Sequence, residues 1–255
     1  MITIKSQSEL DKMEIAGKIV EETLNLMAKS AKAGMRTDEL NRIAEDYIRS
    51  RGAVPSFLNY AGYPKSICTS VNEQVVHGIP GSYRLRDGDI LSVDIGAVIG
   101  GFHGDAARTL LIGEVAPEVQ ELVRITKECF FEGLRQVRPG NRIGDIGKAI
   151  QSHAESYGYG VVRELVGHGI GRKMHEPPDV PNFWESRMGR GIRLEAGMCI
   201  AIEPMINKGT ADVIQLSDGW TIVTADGKPS AHYENTVAVT DGEPRLMTLH
   251  EEESL

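Results

Sequence analysis

Cysteine is scarce in this chain: Cys68, Cys129 and Cys199 are the only three among 255 residues. They are odd in number, widely spaced and form no Cys-x-x-Cys pair, which argues against a disulfide framework and for a reducing, cytoplasmic setting. Basic runs are missing too. No Lys/Arg block exceeds a pair and the net charge is −8, so there is no direct nucleic-acid motif. No stretch of 18 uncharged apolar residues exists to cross a membrane, and the opening MITIKSQSEL lacks the apolar centre of a signal peptide. The sequence also lacks a GxxxxGK[ST] phosphate loop and a GxSxG nucleophile elbow. GHGIG at Gly167–Gly171 resembles a dinucleotide loop, but Arg172 stands where the third glycine belongs. His175-Glu176 begins like HExxH and then runs into Pro177-Pro178-Asp179, which supplies no second His and cannot continue a helix.

What is present is ordinary for a soluble globular protein: 41% hydrophobic and 25% charged residues, enough to bury a substantial core. The hairpin predicted at Gly88–Leu110 organises the rest. Ile90, Leu91, Val93 and Ile95 predict a strand, Gly100-Gly101 a turn, and Phe102–Leu110 a returning strand. Centring the turn between Ile99 and Gly100 sets Asp94 directly opposite Asp105, with Cβ atoms about 5 Å apart. Two bare carboxylates at that distance repel unless a proton or cation lies between them, with His103 and the nearby glycines keeping the site compact and polar. A one-residue slip would instead turn one Asp to solvent.

Around the hairpin, Ser8 is positioned to cap a helix running to about Ala33, and Thr37 to cap a second that Gly52 stops. Pro117 opens a third, to about Val137, and a fourth runs from about Gly144 to Ser156. VVRELV at 161–166 predicts a strand, the chain to Gly191 is loop-rich, and Met198–Thr240 is mainly strands with turns at Asp218-Gly219 and Asp226-Gly227.

This order repeats. GMRTDELNRIAEDYIRSRG (34–52) aligns without a gap on GNRIGDIGKAIQSHAESYG (140–158). EQVVHGIP aligns on ELVGHGIG, placing His77 opposite His168, and GDILSVDIG aligns on GMCIAIEPM, placing Asp94 opposite Glu203. Glu234, in HYENTVAV, occupies the late strand comparable to that of Asp105. The reading is a single domain over 1–255, with half-repeats at about 1–115 and 116–245 and an acidic tail at about 246–255. Related halves meeting about a pseudo-twofold axis would bring Asp94, Asp105, Glu203 and Glu234 together with His168. Four carboxylates cannot share a cavity without cations. Oxygen-rich ligation with one imidazole suits Mn, Fe, Co or Zn, and the carboxylates suffice to bridge two ions about 3.5–4 Å apart. His77 and His175 lie beside Gly-rich breaks next to the ligand-bearing strands, where cavities form, although either alone reads as an ordinary histidine; Tyr60, Tyr63 and Trp220 read equally as core.

With these residues in hand, the sequence resembles the type I methionine aminopeptidases of the pita-bread metallopeptidase fold. The likeness rests on YPKSICTSVNEQVVHGIP, DGDILSVDIG…GFHGDAART, GHGIGRKMHEPP, IEP and YENTVAVT, and runs from the first helix to Thr240. It implies an α+β architecture in which two pseudo-twofold-related halves surround a mainly antiparallel curved sheet. It also implies removal of the initiator methionine from nascent proteins with a small second residue. By that resemblance Asp94 binds one metal, His168 and Glu203 the other, and Asp105 and Glu234 bridge. His77 and His175 contact substrate, and Tyr60, Tyr63, Cys68, Met174 and Trp220 receive the methionine side chain. Phe57 and Met174 stand where some relatives have Cys and Phe, which keeps the wall apolar. Backbone oxygens of Asn72, Gln74 and Ser230 would hold one Na or K ion. Glu203 would shuttle the proton and His175 would stabilise the oxyanion. The implied partners are nascent-chain N-termini and, transiently, the ribosome, for a monomeric enzyme. A prolyl-cleaving relative would need a proline-shaped pocket, and a non-catalytic binding protein of this fold would turn over no peptide.

Overall fold

A computed structural model of the chain describes residues 2–249. Its elements follow in the order α1 (Gln7–Ser30), α2 (Thr37–Ser50), β1 (Val54–Pro55), β2 (Cys68–Val71), β3 (Gln74–Val76), β4 (Ile90–Ile99) and β5 (Phe102–Leu111). Then come α3 (Pro117–Leu134), α4 (Ile143–Ser156), β6 (Gly160–Val161), β7 (Gly167–Gly169), β8 (Glu176–Val180), β9 (Cys199–Ile202) and β10 (Met205–Asn207). The last strands are β11 (Val213–Gln215), β12 (Ile222–Thr224), β13 (Ser230–His232), β14 (Glu234–Ala238) and β15 (Arg245–Leu246). No described helix is long and apolar enough to cross a membrane, and all three cysteines are buried and free.

The main sheet runs β1-β4-β5-β14-β9-β7-β8, with β2 added on β4 and β15 on β14. Its central pairs are all antiparallel. Each half has its own core. Leu24, Met27, Leu40 and Ile48 of α1 and α2 pack on Leu91, Val93 and Ile95 of β4, while Ile125, Phe130, Ile146 and Ile150 of α3 and α4 pack on Ile200, Ile202 and Val237. The halves meet where β5 pairs with β14.

Equivalent details recur at the repeat's spacing. Arg36 bridges Arg84 as Arg142 bridges Arg193. The Arg36 N–H donates to Glu39 Oε2 at 2.7 Å, and the Arg142 N–H donates to Asp145 Oδ2 at 2.8 Å. Gly34 and Gly140 sit at φ +88° and +94° in the connections that lead into α2 and α4, and Gly52 and Gly158 at +76° and +77° just past the ends of those helices, left-handed positions that glycine adopts at little cost.

Local expectations are adjusted in several places. Helix α1 starts two residues earlier than a Ser8 cap predicts: Ser6 precedes it, and Glu9 Oε2 accepts from the Ser6 N–H at 3.0 Å. Thr37 is the first residue of α2 rather than its cap, because its Oγ1 is taken by the Gly81 N–H at 2.9 Å. Only Val161 of the VVRELV segment lies in a strand; Arg163 turns outward to Glu185 at 2.6 Å. The stretch read as loop holds β7 and β8. Residues 246–248 are not tail: Leu246 pairs with Val237, and Met247 and Thr248 are buried. The acidic residues expected beyond them, Glu251, Glu252 and Glu253, lie outside the described residues.

Candidate metal centre

The site is built on one row across the sheet. Cys68 of β2 faces Asp94 of β4, Asp94 faces Ala107 of β5, and Ala107 faces Glu234 of β14. Paired residues share a face, so Asp94 and Glu234 flank the small side chain of Ala107. Asp105, two residues before Ala107, points the same way. The expectation that Asp94 directly opposes Asp105 is corrected: Ile99 pairs with Phe102, Asp94 with Ala107, and Asp105 with Gly96. The cause is the turn. Gly100 and Gly101 are both at positive φ, +60° and +79°, as a two-residue type I′ turn requires. The register therefore shifts by two, which preserves the face and makes the aspartates diagonal neighbours. His103, two residues further out, bonds through Nδ1 to Ser56 Oγ at 2.8 Å and lies outside the cavity lining.

Glu203 follows the end of β9, just beyond the paired Ile202 and Asn235. His168 sits on β7, and its Nδ1 lies 2.8 Å from Gly169 O. A carbonyl only accepts, so Nδ1 carries the proton and the Nε2 lone pair faces the carboxylates. Nε2 is 3.6 Å from Asp105 Oδ2 and 3.7 Å from Glu203 Oε1. Both are too long for hydrogen bonds and match the spacing of atoms that share one cation. Burial holds the His168 imidazole down to about 3, so it is neutral, as ligation requires. The Thr236 hydroxyl binds the backbone of Asp105, accepting from its N–H at 3.1 Å and donating to its carbonyl at 2.9 Å. Buried Arg108 donates to Glu234 O at 2.6 Å and to Asn235 Oδ1 at 2.8 Å, bracing β14 on β5.

Burial pushes the Asp94 carboxyl up to about 7. Burial first, and then the neighbouring negative charges, push Asp105, Glu203 and Glu234 well above the usual carboxylate range. Asp94 Oδ1, Asp105 Oδ1, Glu234 Oε1 and His232 Nε2 are all buried without a hydrogen-bond partner, which is rare in folded proteins and is what metal donors look like without their ion. Two donor sets are close enough to hold a cation, Asp94–His232–Glu234 and Asp105–His168–Glu234, each with its donor atoms within 4.8 Å of one another. Glu234 belongs to both. The donor chemistry therefore fits two divalent ions.

A cavity of about 150 Å³ opens beside these donors. It is lined by Asp94, Asp105, His168, Glu203 and Glu234 and also by Phe57, Tyr60, Tyr63, Cys68, His77, Met174, His175 and Trp220. Every metal, catalytic and side-chain-pocket residue expected from sequence thus borders one space. Phe57, Tyr63, Cys68 and Met174 form its buried apolar end, with Trp220 edge-on to Tyr63 at 5.1 Å between centroids. Gly96 makes room for that end, because a Cβ there would lie 2.8 Å from Phe57 and 3.2 Å from Met174. Tyr60 is at the rim rather than in the wall: it is 41% exposed, with its hydroxyl 2.7 Å from His175 Nδ1. His175 lies against His168, with centroids 4.2 Å apart. His77 holds a left-handed φ of +59°, a strained conformation of the kind concentrated at functional sites. Asn72 and Ser230 are joined through main chain, the Ser230 N–H donating to Asn72 O at 2.9 Å; Gln74 lies at the start of β3 and its Oε1 accepts from the Val71 N–H. His232, which the sequence alone does not single out, ends β13 two residues before Glu234 opens β14.

The sequence matches the description of metallopeptidase family M24 over residues 11–241. It is 54% identical over 249 residues to a methionine aminopeptidase of Clostridium perfringens (strain 13 / Type A), covering 98% of this chain and 99% of that one. The crystal structure of methionine aminopeptidase from Rickettsia prowazekii superposes with a TM-score of 0.95 at 42% identity, covering 98% of this chain and 100% of that one. The prolidase from Pyrococcus horikoshii OT3 superposes with a TM-score of 0.79 at 21% identity, over 99% of this chain and 65% of that one, a likeness of fold alone.

Proposed function

The chain belongs to metallopeptidase family M24, with the two-halved pita-bread fold, and we propose that it is a metallo-aminopeptidase that removes N-terminal methionine from chains whose second residue is small. The observation that carries this is the single cavity in which the carboxylate–histidine cluster borders a buried apolar end made by Phe57, Tyr63, Cys68 and Met174. An unbranched, polarizable side chain suits that end, and sulfur–aromatic contacts with Tyr63 and Trp220 contribute about 0.3–1.5 kcal/mol each.

Asp94, Asp105, His168, Glu203 and Glu234 would hold two divalent ions, drawn from Co, Mn, Fe and Zn. When bound, such ions acidify water and polarise a carbonyl. Glu203, at the edge of the cluster, takes a proton from water and delivers it to the leaving amine. His175, anchored by Tyr60, donates toward the developing oxyanion. His77 positions the substrate beside Trp220, with centroids 6.5 Å apart, and Phe57 and Met174 close the far wall. The free α-amine is received on the Asp94 side, which limits cleavage to the first residue. Backbone oxygens of Asn72, Gln74 and Ser230 offer a place for one Na or K ion. The substrates are nascent polypeptide N-termini in the cytoplasm, met during transient contact with the ribosome by a monomeric enzyme.

The test is hydrolysis of Met-Ala-Ser, Met-Lys-Ser and Ala-Ala-Ser by chelated protein reconstituted with each divalent ion. Met-Ala-Ser should be cut, Ala-Ala-Ser poorly, and Met-Lys-Ser hardly at all. Equal rates on Met-Lys-Ser and Met-Ala-Ser would overturn the assignment.

A further inference from the structure

His232 ends β13, two residues before Glu234. Its main chain is fixed from both sides. Thr109 Oγ1 on β5 accepts from the His232 N–H at 2.9 Å and donates to the His232 carbonyl at 2.9 Å, and Met205 on β10 faces it in register. The ring is 2% exposed. Its Nε2 has no hydrogen-bond partner and lies 3.7 Å from Glu234 Oε2. A buried ring nitrogen left without a partner is costly, and this one faces the Glu234 carboxylate, with Asp94 in the same group of donors. The separation repeats what His168 Nε2 makes with Asp105 and Glu203, 3.6 and 3.7 Å. Ligand atoms each bound at about 2.0–2.2 Å to one ion lie roughly 3–4 Å from one another.

We propose that His232 is a further metal ligand, supplying its Nε2 to the ion on the Asp94 side, so that each of the two metal positions has its own imidazole. Asp94, His232 and Glu234 form one donor set, Asp105, His168 and Glu234 the other, and Glu234 joins them. This rests on the dinuclear reading of the site and adds to it. It also has a chemical consequence: an oxygen-only position favours Mg or Mn, whereas imidazole shifts it toward Fe, Co and Zn. His232 thereby biases the Asp94 side toward the later ions. The clamp from Thr109 presets the ring, so little ordering is left for binding to supply.

The experiment uses the full chain stripped by chelation and titrated with Co(II), followed by calorimetry and visible absorption. Wild type should take two ions. In His232→Gln and His232→Ala one step should keep its affinity while the other weakens at least tenfold, with a changed ligand-field spectrum. The same step should lose discrimination between Zn(II) and Mn(II). Ring-15N-labelled wild type loaded with Zn(II) should show large coordination shifts at two histidines, one of which is absent from His232→Gln. That measurement stands even if the alanine variant fails to fold. If wild type binds two ions and the His232 variants titrate identically, or only one histidine shifts, the His232 assignment is wrong while the dinuclear site stands. If wild type binds no divalent ion, both readings fall.

Discussion

Asp105 concentrates the demands of the site on one side chain. It is buried, its Oδ1 lacks a partner, and its backbone is clamped by Thr236. Asp105→Asn keeps the shape but removes the charge that would bridge two ions. Activity should fall by orders of magnitude at saturating metal while the far-ultraviolet circular dichroism stays that of the wild type; near-normal turnover would rule out the paired-carboxylate site. His175 makes a different prediction, because it touches Tyr60 and the His168 ring yet belongs to neither donor set. His175→Ala should lower kcat by about 10²–10³, the scale of one lost oxyanion donor, with metal stoichiometry unchanged. Loss of bound metal with normal kcat in the remaining loaded fraction would reverse the assignment. Asp94, Asp105, His168, Glu203 and Glu234 could be named as candidate ligands from sequence because the half-repeat aligns Asp94 with Glu203 and His77 with His168 and puts Asp105 and Glu234 on comparable return strands. His232 could not, since a single histidine beside a tyrosine reads as core until its lone nitrogen is seen to face a carboxylate.

Elements meet here through glycine as much as through side chains. Helix α1 crosses β5 at Gly17 and Gly104, where a Cβ on Gly104 would stand 2.8 Å from Gly17 N. A Cβ on Gly17 would stand 1.8 Å from Met247 O, a backbone atom that cannot swing aside. Gly17→Ala should therefore destabilise the fold by about 1–3 kcal/mol despite alanine's better helix propensity. Urea unfolding should show a lower midpoint at unchanged slope; an unchanged or higher midpoint would mean the close approach is not structural. Long amphipathic helices and the β4–β5 hairpin were readable from periodicity. The hairpin register was not, because one residue's choice of turn centre moves the pairing by two, and only the positive φ of both Gly100 and Gly101 decides it. Strands β7 and β8 escaped for another reason: GHG and EPPDV carry glycine and proline where strand propensity is lowest, and they are held instead by β9 and by each other.

At the scale of the whole molecule, two halves, each with a core of its own, join in the main sheet along a seam of few register pairs, Glu234 with Ala107 and Asn235 with Ala106, and outside it through Leu10, Met13 and Phe102 packed on Ile170, Cys199 and Ala238. Four carboxylates crowd beside that seam, and their protonation couples the chemistry to the stability of the fold. Burial raises Asp94 from an ordinary value near 4 to about 7. A folded state with a raised carboxyl pKa binds protons more tightly than the unfolded chain. The contribution of Asp94 to the stability of the metal-free fold is then fully present below about pH 4, where both states are protonated, and is lost as pH rises through about 7. Divalent ions act in the opposite sense, since they bind the deprotonated donors of the folded chain alone. The expected outcome is a Tm of chelated protein that falls between pH 5 and pH 8, and a gain in Tm on adding saturating Co(II) or Mn(II) that grows over the same interval. Asp105→Asn should flatten both trends by taking one titrating charge out of the cluster. A chelated Tm that rises from pH 5 to pH 8, with a metal-induced gain independent of pH, would show that the seam is not held apart by its own carboxylates.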